Sequence, residues 1–446
     1  KSNQGQLLLG CTKGVVTFDA NSLMMGTGRL LEFGNLLKGQ PVKAITELED
    51  GSMLMGSRNA FIRWDKEHQT SEDLLLEPGK SATLPREVNR FRYDNNGNLW
   101  LATEGDGLYL LARHSLNFER LPGLQQRTKG DKTGSVLEDR NGNIWIGNEH
   151  SLFIRKKGST EIRRVDIDHK SVGATALFQD SKGGIWVGSL KDGLYYLRNG
   201  TADSPFEHFS VANVPGQSPL LYYVTSLCED KFGRIWVGCY TNGLFVLNPA
   251  EKQFYRPGEA KINAVSKIIL ASTGAIWVST FSHGLFKFLA SSNNPSTLQY
   301  ENYVPSTKQS NAISFNITTC LAEDGQRNIW IGTVSGGLNR FNPAKNQFTK
   351  FTIDNGMPSN LIYQIQIDNN GNPWMSTDEG LVMFRSDSLA PVVYRKEDGI
   401  PAFNFLASCK LHSGLLAFGT LDGDVIVVAP SALDKNDLLP GIVDFK

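Results

Sequence analysis

The stretch "DRNGNIWIGNEHSLFI" at residues 139–154 decides how this chain is read. An acidic turn leads into an apolar triplet centred on tryptophan. A glycine and a short polar break follow, and then a second apolar run. Runs this short, rich in Ile, Val, Leu, Phe and Trp, fit β-strands and are too brief for helices. In the D-x-x-G turn the Asp side chain can accept hydrogen bonds from backbone amides, and the Gly tolerates a positive φ.

The pattern recurs at 94–111, 180–197, 230–247, 271–288, 324–341 and 368–384, with Trp100, Trp145, Trp186, Trp236, Trp277, Trp330 and Trp374 spaced 41 to 53 residues apart. Weaker copies at 5–18, 50–64 and 413–428 carry Leu8, Leu54 and Ala417 where tryptophan would fall, which makes ten units. Each unit reads as a four-stranded antiparallel sheet: a half-apolar run such as "VTSLCED", the "IWVG" run, a "GLFVL" run and a closing stretch such as "KQFYRP". No unit buries both its faces alone, so the sheets must stack radially. An all-β chain follows, a β-propeller of four-stranded antiparallel blades. Ala271 replaces the turn Asp in one copy and Arg327 replaces the turn Gly in another. Different geometry is expected at those two turns.

The ends of the chain bear on how the units close. The first unit lacks an inner strand and the last lacks an outer one. If "NFERLPG" (117–123) completes the last blade, residues 114–432 form a seven-bladed ring. Residues 1–113 are then the C-terminal blades of a first, incomplete propeller. The rival division takes the seven tryptophan units, about 83–400, as the ring.

Lys+Arg 45 balances Asp+Glu 45, which removes the basic surface that binding to nucleic acid or an anionic membrane requires. No apolar stretch approaches the ~18 residues of a membrane span. The chain opens with "KSNQGQLLLG", which has neither a starting Met nor a signal peptide, and reads as a mature or excised soluble portion. The five cysteines (Cys11, Cys228, Cys239, Cys320, Cys409) are odd in number and lack CxxC spacing, so they read as small buried thiols.

These repeats resemble the two-component regulator propeller, in which D-x-x-G-x-[LI]-W-[IV]-G-T and a following G-L-x-x-F recur. Residues 351–384 are similar to a nearly complete copy, and 397–433 to that family's terminal blade. The resemblance implies the periplasmic sensor region of hybrid two-component histidine kinases from polysaccharide-degrading bacteria. Such a region holds two seven-bladed propellers and a small β-sandwich. It implies an oligosaccharide ligand, a membrane contact only through segments outside this chain, and a homodimeric full-length receptor. Residues 433–446 would then be an exit segment toward the sandwich. No kinase or receiver motif occurs here, so this segment is not expected to be an enzyme.

One acid per turn is far short of a calcium loop, and the mid-strand tryptophans suit packing between blades better than sugar stacking. Neither a metal nor a cofactor is expected. A ligand is better placed where the loop entering the inner strand meets the loop joining the second and third strands. Those loops carry His169, Lys170, Lys191, Tyr222, Tyr223, Tyr240, Phe281, His283 and Asn404. Aromatics there suit sugar faces, and Lys or His suits acidic groups. Two other classes share the fold. One is a propeller lyase or hydrolase drawing on His169, His283 and Tyr223, although no G-x-S-x-G or H-E-x-x-H motif is present. The other is a protein-interaction scaffold.

Overall fold

The computed structural model describes residues 131–433 except 168–169, 199, 201, 203–204, 210–222, 259–261, 290–291, 293, 310, 386–387, 396–397, 399 and 401–404, together with 7–11, 14–18, 27–32, 41–48, 52–58, 60–65, 70–73, 87–94, 99–104, 108–111, 118–121 and 124. The chain divides into two compact units, residues 1–115 with 435–446, and residues 116–434. Of the described residues, 55% are strand and 3% helix.

The first unit holds three antiparallel sheets in its described residues. Leu7–Cys11, Gly14–Phe18 and Arg29–Glu32 form one. Ala44–Glu47, Met53–Ser57, Ala60–Asp65 and Thr70–Asp73 form the second, and Val88–Tyr93, Leu99–Thr103 and Leu108–Leu111 the third.

Seven four-stranded sheets make up the second unit. Their inner strands are Thr133–Glu138 (blade 1), Ala174–Gln179 (blade 2), Val224–Glu229 (blade 3), Val265–Leu270 (blade 4), Thr318–Glu323 (blade 5), Ile362–Ile367 (blade 6) and Phe405–Lys410 (blade 7). Each lies against the next, and that of blade 7 lies against that of blade 1, so the sheets stand in a closed circle. Blade 7 is completed from the start of the unit. Phe118–Arg120 pairs antiparallel with Val425–Val428, Phe118 opposite Val428 and Arg120 opposite Ile426. The Leu121 N–H donates to the Val425 carbonyl at 2.8 Å, and Arg120 Nη1 lies 2.6 Å from Asp424 Oδ2.

The core lies between blades rather than within them. Trp186, Leu194 and Phe209 of blade 2 pack with Leu227, Val237 and Phe245 of blade 3, and Trp236 then packs with Val278, Phe286 and Phe288 of blade 4. Trp145, Trp186, Trp236, Trp277, Trp330 and Trp374 are all buried. Truncating one to Ala removes a wedge worth about 3–5 kcal/mol. Glycine after the triplet is required by the same packing. A Cβ on Gly188 would stand 2.4 Å from Val224 Cγ1 of the next blade, and one on Gly238 the same distance from Val265 Cγ1.

Every blade shows a bulge after the first residue of its inner strand. In four blades the extra residue carries a hydroxyl that donates to the first inner residue of the following blade. Thr175 reaches the Val224 carbonyl at 2.6 Å, Thr225 that of Val265 at 2.7 Å, Ser266 that of Thr318 at 2.7 Å and Thr319 that of Ile362 at 2.5 Å. These bonds tie neighbouring sheets where no ladder bond can run between them.

The turn joining first and second strands is anchored by its carboxylate. Asp139 Oδ1 accepts the N–H groups of Asn141 and Asn143, both at 2.9 Å. Its Oδ2 accepts from Asn143 Nδ2 and Trp145 Nε1, both at 2.8 Å. Asp180, Asp230, Asp324 and Asp368 bond Trp186, Trp236, Trp330 and Trp374 in the same way at 2.8–3.0 Å. With both oxygens engaged by N–H donors, these carboxylates hold the tryptophans in register with the turns.

The expectation that Ala271 and Arg327 mark different turns is incorrect. The Gly274 N–H donates to the Ala271 carbonyl at 2.8 Å, and the Arg327 N–H donates to the Asp324 carbonyl at 2.9 Å, matching Gly142 to Asp139 at 2.8 Å. Arg327 adopts φ +66°, in the left-handed region occupied by Gly142 at +80° and Gly371 at +84°. The backbone bonds set the turn. Arg327 bears a conformational cost of about 1 kcal/mol to fit it.

Candidate functional site

Antiparallel strands reverse at each connection, so the entry to an inner strand and the joint between second and third strands share one end of a blade. A repeated backbone bond links them. The residue just after the second strand donates to the carbonyl just before the inner strand: Tyr240 to Tyr223 at 2.9 Å, Phe281 to Ala264 at 2.7 Å and Val334 to Ile317 at 3.1 Å. Tyr223 in turn donates its N–H to the Leu190 carbonyl of blade 2 at 2.8 Å. Tyr223 and Ala264 hold φ values of +52° and +50°, left-handed conformations that neither residue type favours. Strain of this kind persists where surrounding contacts over-determine the backbone.

The consequence is an aromatic ladder across two blades, 3 and 4. The Tyr223 and Tyr240 ring centroids lie 5.6 Å apart with planes at 42°. Those of Tyr240 and Phe281 lie 5.6 Å apart, edge to face. Tyr223 and Tyr240 remain 42% and 46% exposed, so the ladder presents ring surface to solvent while each ring supports its neighbour. Burial chiefly pushes the Tyr223 phenol above its ordinary pKa, and the Glu149 carboxylate adds to the rise. Glu149 therefore sits close enough to act on the ladder's first ring. Lys132 Nζ lies 3.6 Å from Glu149 Oε1, and His150 Nδ1 lies 3.0 Å from Asp131 Oδ1, so blade 1 adds a charged margin to the aromatic stretch.

Of the residues singled out from sequence, Tyr223, Tyr240 and Phe281 come together here. Lys191 is exposed and follows Leu190, whose carbonyl holds Tyr223. His283 is exposed in the Phe281 turn, its Nδ1 2.6 Å from Ser282 Oγ, and joins no ring of the ladder. Lys170 is exposed and exchanges two 2.9 Å backbone bonds with Ile167, apart from the ladder. Tyr222, His169 and Asn404 lie outside the described residues. Sequence reading passed over Asp131, Lys132, Glu149 and His150. The signal was present: "NEHS" in blade 1 occupies the slot filled by "CYTNG" in blade 3 and "TFSHG" in blade 4.

The family model described as two component regulator propeller matches residues 130–150, 219–241 and 313–335. Among solved structures, the chain is similar to the extracellular domain of BT3049 from B. thetaiotaomicron, described as a hybrid two component system. The TM-score is 0.70 at 22% identity, covering 98% of this chain and 56% of that one. It is also similar to the extracellular domain of BT4673 of the same organism, at TM-score 0.57 and 17% identity, covering 95% of this chain and 57% of that one. Virginiamycin B lyase from Staphylococcus aureus matches at TM-score 0.53 and 13% identity over 70% of this chain and 99% of that one. No curated protein sequence matches. The chain thus spans little more than half the length of the two extracellular domains. The fold and the matched repeats define it as a β-propeller protein. More particularly, three of its segments, all in the second unit, match the two component regulator propeller repeat.

Proposed function

We propose that this chain is part of the extracytoplasmic sensor of a two-component regulator, binding an oligosaccharide at the mouth of the second unit and signalling to a kinase outside this segment. The observation that carries the reading is the exposed ladder of Tyr223, Tyr240 and Phe281. Flat rings at this spacing suit the apolar faces of successive sugar rings, and Lys191 with the blade 1 charges supplies polar partners for hydroxyl or acidic groups. The regulator repeats support the sensor role. On this reading the sheets of residues 1–115 are the end of a preceding propeller, and 433–446 leads toward a further domain.

Calorimetric titration with neutral and acidic oligosaccharides tests it. Saturable binding without turnover, weakened about tenfold by Tyr240→Ala, is expected. Cleavage of the sugar would replace the sensor by a lyase or hydrolase, and the absence of any binding would remove the ladder from consideration.

A further inference from the structure

Six of the seven motif tryptophans donate their indole N–H to the carboxylate of their own turn: Trp100 to Asp94 at 3.0 Å in the first unit, and Trp145, Trp186, Trp236, Trp330 and Trp374 in the second. Trp277 in blade 4 is the exception, because Ala271 ends at Cβ where the others carry a carboxylate. The backbone of that turn is the same. The Ala271 N–H donates to the Ala275 carbonyl at 2.8 Å, as Asp139 does to Asn143 at 2.9 Å. The indole is placed alike too. Its ring lies 5.8 Å from Tyr303 at 23° and 5.3 Å from Phe341 at 61°, against 6.0 Å at 25° and 5.7 Å at 65° for Trp330 with Phe351 and Phe384. Trp277 Nε1 therefore points into its turn, as Trp330 Nε1 does.

Two backbone donors face the same space. In the five Asp turns of the second unit, one carboxylate oxygen accepts the N–H groups two and four residues further on. In blade 4 those groups belong to Thr273 and Ala275, and the Ala275 carbonyl, bonded to Ala271, shows that this residue turns its polar edge toward the turn. Among the described residues neither N–H nor Trp277 Nε1 has an acceptor, and Nε1 is not sealed from solvent. Three donors converge where five sister turns hold a carboxylate, and leaving such donors unpaired is costly.

A second short side chain makes the space suit a free carboxylate. Such a group approaches the Ala271 Cβ no closer than about 3.5 Å, so it stands about 2 Å outward of a covalent Asp carboxylate. Asn143, Asn328 and Asn372 lie beside the carboxylate in three turns and Arg234 in a fourth, whereas Ala275 has nothing beyond Cβ. Neighbouring charge is no obstacle. Glu323 of blade 5 accepts from the Ser272 N–H and hydroxyl at 2.7 and 2.8 Å, but Glu229 holds Ser181 in the same way at 2.6 and 2.8 Å with Asp180 in place beside it. Lys287, paired with Glu301, sets its Nζ 5.8 Å from the Trp277 ring centroid.

We propose that the blade 4 turn binds a free monocarboxylate of formate or acetate size, whose oxygens accept from the Thr273 and Ala275 N–H groups and from Trp277 Nε1. This site is separate from the aromatic ladder and does not depend on the sugar reading.

Titration of the whole chain, carrying isotope-labelled tryptophan, with sodium formate, sodium acetate and sodium chloride at constant ionic strength tests the assignment by NMR. Of the eight indole N–H signals, one is expected to move saturably with formate or acetate and to be missing from Trp277→Phe, which also binds about tenfold more weakly. The unfolding midpoint of the parent should rise by about 2 °C at a tenfold excess over the Kd. Ala271→Asp is expected to abolish the response and to unfold at a higher temperature than the parent in carboxylate-free buffer. No saturable movement in the parent, an equal response to chloride, movement of a signal that persists in Trp277→Phe, or undiminished binding by Ala271→Asp would each overturn the proposal. The parent titration decides it alone if a variant does not fold.

Discussion

The two ends of the second unit obey different rules. At the D-x-x-G end five of the seven turns repeat one arrangement, in which a carboxylate takes two backbone N–H groups and an indole N–H. Neighbouring turns are strapped by the residue just before the Asp position in the next blade: Gln179 accepts from Arg140, Glu229 from Ser181 and Glu323 from Ser272. At the loop end the backbone bond between entry and joint repeats in blades 3, 4 and 5, but the side chains vary in chemistry around the ring. Blade 1 is charged with Glu149, blade 3 aromatic with Tyr240, and blade 5 aliphatic with Val334. Regularity at one end fixes the sheets, and that leaves the other end free to vary.

The largest effect that would break this contrast comes from Asp230→Ala. Asp230 holds Trp236 at 2.9 Å and forms a buried pair with Arg234 at 2.7 Å, so the change strands a buried guanidinium. Urea denaturation is expected to show a loss of about 4 kcal/mol. Adding Arg234→Met recovers part of it. Tyr240→Ala at the loop end should instead leave stability within about 0.5 kcal/mol of the parent, while affinity for the oligosaccharide we propose falls about tenfold by calorimetry. A comparable loss of stability in this variant would contradict the division of labour.

Two smaller changes sharpen it. Ala271→Asp supplies the carboxylate that one turn lacks beside Trp277, and thermal unfolding is expected to report a gain of about 1 kcal/mol. A loss there would mean that the carboxylate is not general to the turn. Arg327→Gly relieves the left-handed backbone at φ +66°. A gain of about 0.5 kcal/mol follows, and no gain would place the strain elsewhere.

Much of this was legible because each repeat states the same local instruction. Trp145 and its equivalents sit mid-triplet, and burial follows from an indole flanked by apolar residues. The bulge hydroxyls were not legible. Thr175 and Thr225 look like ordinary strand residues until the next sheet brings its carbonyl to 2.6 and 2.7 Å. The turn at Arg327 was misread because residue type stood in for geometry, whereas the backbone bond from Arg327 to Asp324 imposes the turn on whatever residue is present. At the loop end, aromatic residues could be picked out singly. Their assembly could not, since Tyr223, Tyr240 and Phe281 meet across blades through the stagger of consecutive sheets.

By itself the sequence determined the sheets: short apolar runs, turns that cap with Asp, and a tryptophan in each of seven units that needs a neighbouring sheet to bury it. Only the tertiary structure decided which distant segments meet. It set Phe118–Arg120 beside Val425–Val428 and joined three aromatic side chains at one mouth. The reason is physical. Strand and turn preferences act over a few residues, whereas these contacts arise only once the sheets close around a common axis.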